Sequence, residues 1–147
     1  MKPVLFYGHH SGEFAAFSNF YPAEFEYGGW KWACSEQAYM YYKSNDPAYQ
    51  KKVKATKDPW AVKKLGRAMV LRHDWDNVKF EIMAQVVYAK FDQNEDLKEL
   101  LLSTGDRPIH EDCKDPWWGG GPNFPGGRDW LGKVLMLVRK HIASENK

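Results

Sequence analysis

The sequence predicts an α+β fold, predominantly helical, with a small β element near the N-terminus and a helical body behind it. Three observations carry this reading. Short runs of β-branched and aromatic residues near the N-terminus are interrupted by glycines. From Ser35 onward, Ser, Asp and Asn repeatedly stand just ahead of segments whose apolar residues recur three and four apart. The 147 residues show no internal repeat and no linker between two cores, so one domain over 1–147 is expected.

In chain order, Val4-Leu5-Phe6-Tyr7 reads as a strand, broken between Gly8 and Gly12. Phe14 to Tyr21 is aromatic but irregular. Phe25-Glu26-Tyr27 and Trp30-Lys31-Trp32 flank Gly28-Gly29, the pattern of a tight hairpin. Ser35 is placed to cap a helix running to Lys43, with Glu36 in its first turn at the positive end of the dipole. On that helix Tyr39 and Tyr42 fall near one face, and Glu36, Met40 and Lys43 near an adjoining one. Asp46-Pro47 and Asp58-Pro59 each pair a cap with proline at the first helical position, predicting helices over 47–55 and 59–70. Asp76 opens a longer helix to about Phe91, with Val78, Ile82, Val86 and Ala89 as its apolar stripe. Asn94 opens the next, which turns Leu97, Leu100 and Leu101 inward and ends at Gly105. Ile109-His110-Glu111 is too short to assign. Residues 116–127, with five glycines and three prolines, form a loop long enough to be functional. A last helix from about Asp129 to Ile142 is buried through Leu131, Leu135 and Val138.

Composition narrows the function classes. Apolar residues make up 44% and aromatic residues 16%, which is a globular balance with enough rings to line a pocket for a flat ligand. The net charge of +2 lacks the concentrated basic face of a duplex binder. The Lys51-Lys52-Val53-Lys54 run reads as the wet face of a short helix. Two cysteines, Cys34 and Cys113, have no CxxC spacing, and no secretory leader or bilayer-length apolar run is present, so a cytoplasmic protein without membrane contact is expected. Histidines 9, 10, 73, 110 and 141 lack the spacing of a metal site, and neither metal nor cofactor is expected. Gly127 to Lys133 fits GxxxxGK, but Val134 stands where a phosphate loop needs Ser or Thr.

A set of short pieces then falls in a telling order. It comprises Phe17-Ser18-Asn19-Phe20, Trp32 with Ser35-Glu36, Leu65-Gly66-Arg67, Trp75 with Val78-Lys79, Met83, and Ala89-Lys90-Phe91. Leu101-Leu102-Ser103-Thr104, Glu111, Asp115-Pro116-Trp117-Trp118-Gly119 and Leu131-Gly132-Lys133-Val134-Leu135-Met136 complete it. Spread over nearly the whole chain, this ordered set resembles the YbiA-like, or NADAR, family. The resemblance implies a single-domain, helix-rich N-glycosidase without a cofactor. Its substrate would be a small ribosyl phosphate, such as an early riboflavin-pathway aminopyrimidine intermediate, or an ADP-ribosyl conjugate, including an ADP-ribosylated nucleic-acid base. The family's important glutamate, tryptophan and aspartate match Glu36, Trp75 and Asp115, the expected catalytic residues. Gln37 stands where the family often has His, and Asp129, followed by Trp130, where it tends to have Asn. Both departures are expected at the ligand edge.

The chemistry fits the residue types. Breaking an N-glycosidic bond builds positive charge on the sugar, which a fixed carboxylate stabilises, while a second acid protonates the departing base. Glu36, Glu111, Asp115 and Asp129 are the candidates. Arg67, Arg128 and Lys43 are placed to meet phosphate. Trp75, or Trp117 and Trp118, can stack on the base, Asn19 can bind a ribose hydroxyl, and Gly119-Gly120-Gly121 can bring backbone close to the ligand. Plainer roles are open for each: Asp115 as a turn former, Asp129 as a helix cap, Glu36 as a first-turn charge. A non-catalytic binding module for ADP-ribose or an NAD derivative is the alternative, followed by an interaction protein that keeps the fold for packing.

Overall fold

A helix of eighteen residues, Trp75–Asp92, is the spine on which the rest is arranged; the computed structural model describes residues 1–8 and 12–146. In chain order the elements are β1 (Val4–Phe6), a 3-10 stretch (Gly12–Phe17), β2 (Phe25–Tyr27), β3 (Trp30–Trp32), α1 (Ser35–Tyr42) and α2 (Pro47–Lys54). Then come α3 (Pro59–Leu65), α4 (the spine), α5 (Glu95–Ser103), β4 (Ile109–Glu111) and α6 (Trp130–Glu145). The α+β, mostly helical expectation is met. The break expected from Gly8 to Gly12, and His9 and His10, fall wholly or partly outside the described residues.

Helix α4 packs against α1, α5, α6 and β2. It is therefore buried on several sides, not along one stripe. Trp75, Met83, Val86, Val87, Ala89 and Phe91 are buried, whereas the expected Val78 and Ile82 are only half-buried. The helix begins one residue ahead of Asp76, and Asp74 in the N-cap position makes no side-chain cap. Its carboxylate is taken by Arg72, whose Nε lies 2.6 Å from Oδ1.

Two β pairs complete the frame. β2 and β3 form the expected hairpin, with Gly28 and Gly29 at φ 63° and 80° as a two-residue turn of this hand requires. A Cβ at Gly28 would fall 2.1 Å from the Tyr42 hydroxyl, so the turn rests on that ring. β1 stops at Phe6, leaving Tyr7 exposed, and runs parallel to β4 with Val4 opposite Ile109 and Phe6 opposite Glu111. A three-residue strand of this kind is visible only once its partner, a hundred-odd positions away, is known.

Both Asp-Pro caps form: Asp46 accepts from the Ala48 amide at 3.2 Å and Asp58 from Ala61 at 2.8 Å. Helix α3 stops at Leu65, not Val70. A Cβ at Gly66 would lie 2.3 Å from the Met40 sulfur, so a larger residue there would have to displace that side chain. Ser35 does not cap α1. It is the first helical residue, and its hydroxyl donates to Asn19 Oδ1 at 2.8 Å while the Asn19 carbonyl takes the Glu36 amide at 3.0 Å. Asn94 likewise spends its amide on the Lys90 and Glu24 carbonyls instead of capping α5.

Gln37, expected at the ligand edge, is turned away from it and 2% exposed. Its Oε1 accepts from the Ala33 amide at 2.8 Å, and Nε2 donates to the carbonyls of Val53 at 3.1 Å and Thr56 at 3.0 Å. It thus ties the start of α1 to the end of α2. A Gln37→Met substitution keeps the volume but strands the Ala33 amide and the Thr56 carbonyl, while the Val53 carbonyl keeps the Thr56 amide. It is expected to cost about 2–4 kcal/mol of stability, read as the shift in urea midpoint at constant slope. A change under about 0.5 kcal/mol would mean that water reaches these groups.

Candidate active site

One face of α1 lines a cavity of about 840 Å³. Glu36, Tyr39, Met40 and Lys43 face it, whereas Tyr42 turns to the hairpin and meets Tyr27 edge-on at 5.4 Å. Tyr39 therefore shares the face of Glu36 and not that of Tyr42. Helix α3 and its C-terminal turn add Trp60, Lys63 and Arg67; α4 adds Trp75, Lys79 and Met83. The end of β4 and the loop behind it supply Glu111, Cys113, Asp115, Trp117 and Trp118. Asn19 closes the wall beside α1. Its segment is secured from behind by Lys90, 1% exposed, which donates to the Ser18 carbonyl at 3.0 Å. Burial pulls that lysine down to about 7.

Eight of the ten expected site residues line this one cavity: Asn19, Glu36, Lys43, Arg67, Trp75, Glu111, Asp115 and Trp118. Arg128 and Asp129 do not. Arg128 is exposed and lies over the outer Trp117 ring at 3.9 Å. Asp129 is not at the ligand edge; its Oδ2 lies 2.6 Å from His110 Nδ1, on the alternate face of β4 from Glu111. Nor does its side chain cap α6: it stands in the N-cap position with a left-handed φ of 58° and no capping bond. The first amides of α6 are taken instead by the carbonyls of Trp117 (3.0 Å from Trp130 N) and Trp118 (3.2 Å from Leu131 N). This also disposes of the GxxxxGK spacing, because those amides are already bonded and α6 starts inside the motif. The triple glycine packs against protein, since Cβ atoms at Gly119, Gly120 and Gly121 would strike Cys113, Asp129 and His110.

Sequence reasoning missed Trp60, Lys63, Lys79 and Met83 as wall residues. The signal was present: 60, 63 and 67, and 75, 79 and 83, recur at the three-and-four spacing of one helix face. Lys79 is 7% exposed, with Nζ 3.0 Å from Asp76 and 3.7 Å over the Trp117 ring. The rings form a chain, Trp75 to Tyr39 at 5.0 Å and Tyr39 to Trp118 edge-on at 5.5 Å.

The electrostatics set acids against lysines in a half-dry space. Burial pushes Glu36 up to about 7, against the pull of Lys63 and Lys43 and with the push of Asp115. Burial likewise raises Glu111 to about 7; the Cys113 thiol lowers it, and Glu36 and Asp115 raise it further. Lys43 is lowered by burial, opposed by Glu36, and its Nζ donates to the Gly66 carbonyl at 3.0 Å. Asp115 is exposed, and its Oδ1 accepts from the Trp117 amide at 2.9 Å and the Trp118 amide at 3.0 Å. Two carboxyls poised near neutrality can divide proton donation and charge stabilisation between them.

A small helical α+β fold, opened by a cleft that sets carboxyls and lysines beneath indoles, defines the class. The chain belongs to the NADAR family, matching the NADAR domain over residues 5–143. It is 35% identical over 144 residues to the riboflavin biosynthesis protein VVA0006 of Vibrio vulnificus (strain YJ016), covering 96% of this chain and 39% of that protein. It is 38% identical over 135 residues to the N-glycosidase Npun_R5314 of Nostoc punctiforme, covering 88% of this chain and 86% of that one. The NMR structure of the E. coli protein YbiA superposes with a TM-score of 0.88 at 28% identity, covering 99% of this chain and 89% of YbiA. No helix among the described residues is long and apolar enough to cross a membrane.

Proposed function

We propose that the protein is an N-glycosidase that hydrolyses the bond between a ribosyl group and a heterocycle. The observation that carries this is the convergence of Glu36, Glu111 and Asp115 on one cavity with Trp75 and Trp118. The names of the relatives, an N-glycosidase and a riboflavin biosynthesis protein, support it. Glu36 takes the main carboxylate role, stabilising the charge that develops at the anomeric carbon and receiving a proton from the attacking water. Asp115, with Oδ1 held by two amides, has Oδ2 left to position that water. Trp75 and Trp118 flank the base, Asn19 meets a ribose hydroxyl, and Lys43 and Arg67 meet phosphate, joined by Lys63. The cavity volume suits a nucleotide-sized ligand. The reaction so drawn requires no metal or cofactor.

The substrate is either an aminopyrimidine ribosyl phosphate of the riboflavin pathway or an ADP-ribosylated base. Incubating the purified protein with one representative of each and following base release by chromatography separates the two. Binding of both with release from neither would sink the hydrolase and leave an ADP-ribose-type binder. Gln37, although it stands where the family often has His, gives that binder no support, because its side chain is spent on α2.

A further inference from the structure

Three acids line the cavity, and one of them must hand a proton to the departing base. Their settings differ. Asp115 is exposed and its Oδ1 closes a turn on two amides. Glu36 rises from α1; burial raises it as it raises Glu111, but both Lys63 and Lys43 pull it back toward its ionised form, whereas of these two only Lys63 acts on Glu111. Glu111 sits at the end of β4. Its strand is paired with β1, its carbonyl takes the Gly120 amide at 3.0 Å, and the next amide, Asp112, donates to Phe6 at 2.7 Å. By the two-residue alternation of a strand, Ile109 enters the core and Glu111 lies on the same face where that core opens into the cavity, while His110 turns to Asp129.

Resting on the glycosidase reading above, we propose that Glu111 is the general acid that protonates the leaving heterocycle, with Glu36 as the ionised partner and Asp115 as a water-holding turn residue. The step balances as follows. The C1′–N bond breaks with its electron pair going to the glycosidic nitrogen of the heterocycle, and the departing base takes the Glu111 proton. Water oxygen bonds C1′ and gives its proton to Glu36. Exchange with solvent then restores both carboxyls. The charged groups facing Glu111 support this division. Glu36 and Asp115 raise its proton affinity, and Lys63 and the Cys113 thiol lower it, against a larger effect of burial. Lys43, Arg67 and Lys79 line the same space from further elements.

The test uses two leaving groups. An aminopyrimidine ribosyl phosphate needs a proton to depart; a 4-nitrophenyl riboside 5-phosphate leaves as a stable anion and does not. Glu111→Gln is expected to slow the first by about 10²–10⁴-fold, to slow the second by less than about tenfold, and to remove the alkaline limb of the pH–rate profile. Glu36→Gln and Asp115→Asn should slow both substrates in equal proportion. Equal loss of both substrates in Glu111→Gln, or the split appearing in Asp115→Asn, overturns the assignment. Release of base from neither substrate by the unaltered protein removes the glycosidase reading and this one with it. Independently of turnover, carbon-13 carboxyl titration should find Glu111 protonated well above the ordinary glutamate range; a titration within that range overturns the proposal by itself.

Discussion

Glu36→Gln is expected to lower turnover of a ribosylated substrate by at least about 10²-fold while raising the stability of the fold at alkaline pH. The two effects share one cause. The carboxyl is 8% exposed and held up to about 7 by burial, so its ionised form, the one the proposed reaction uses, is costly in the fold. Because the folded value lies above the unfolded one, the native state binds the extra proton between roughly pH 4.5 and 7. Stability is therefore full below about 4.5, falls as pH rises through that window, and levels off above it. For Glu36 the ionised state costs on the order of 3 kcal/mol, an upper bound because Glu111 titrates over the same range and the two are coupled. The variant should melt higher than the unaltered protein at pH 8 and match it near pH 4.5. An equal melting point at both pH values would mean that the carboxyl is solvated, and retained turnover would remove Glu36 from the chemistry.

Trp75→Ala is expected to carry the largest stability loss of a cavity residue, about 3–5 kcal/mol, and to lower the melting temperature by roughly 10 °C. Trp75 is 4% exposed and braces Tyr39, which in turn meets Trp118. Its removal leaves a void between α4 and α1, on the side where Glu36 stands. Trp75→Phe separates packing from recognition. If the indole is only a brace, the smaller ring costs modest stability and leaves KM unchanged. If it also stacks on the base, KM rises several-fold with the fold intact. A melting point unmoved in the alanine variant would show that the site collapses around the gap.

The legible parts of this molecule were those encoded by neighbouring residues. The two Asp-Pro caps, the Gly-Gly hairpin and the grouping of Glu36 with Lys43 follow from residues a few positions apart, and all form. What escaped reading depends on partners far along the chain. The Glu36 amide at the start of α1 is taken by the Asn19 carbonyl, and the Trp130 and Leu131 amides of α6 by Trp117 and Trp118, so Ser35 and Asp129 look like caps and are not. Strand β4 exists because β1 lies beside it. Gln37 was misplaced for the same reason: its side chain serves the end of α2, and position next to Glu36 in sequence says nothing of facing the same way on a helix.

Trp117 and Trp118 are anchored at the main chain, with their amides on Asp115 and their carbonyls on the first turn of α6. Their rings pack besides on Lys79, Arg128, Tyr39 and Trp130. Exchanging either ring would therefore reshape the rim of the cleft while the backbone path below it, fixed by Asp115 and α6, stays in place.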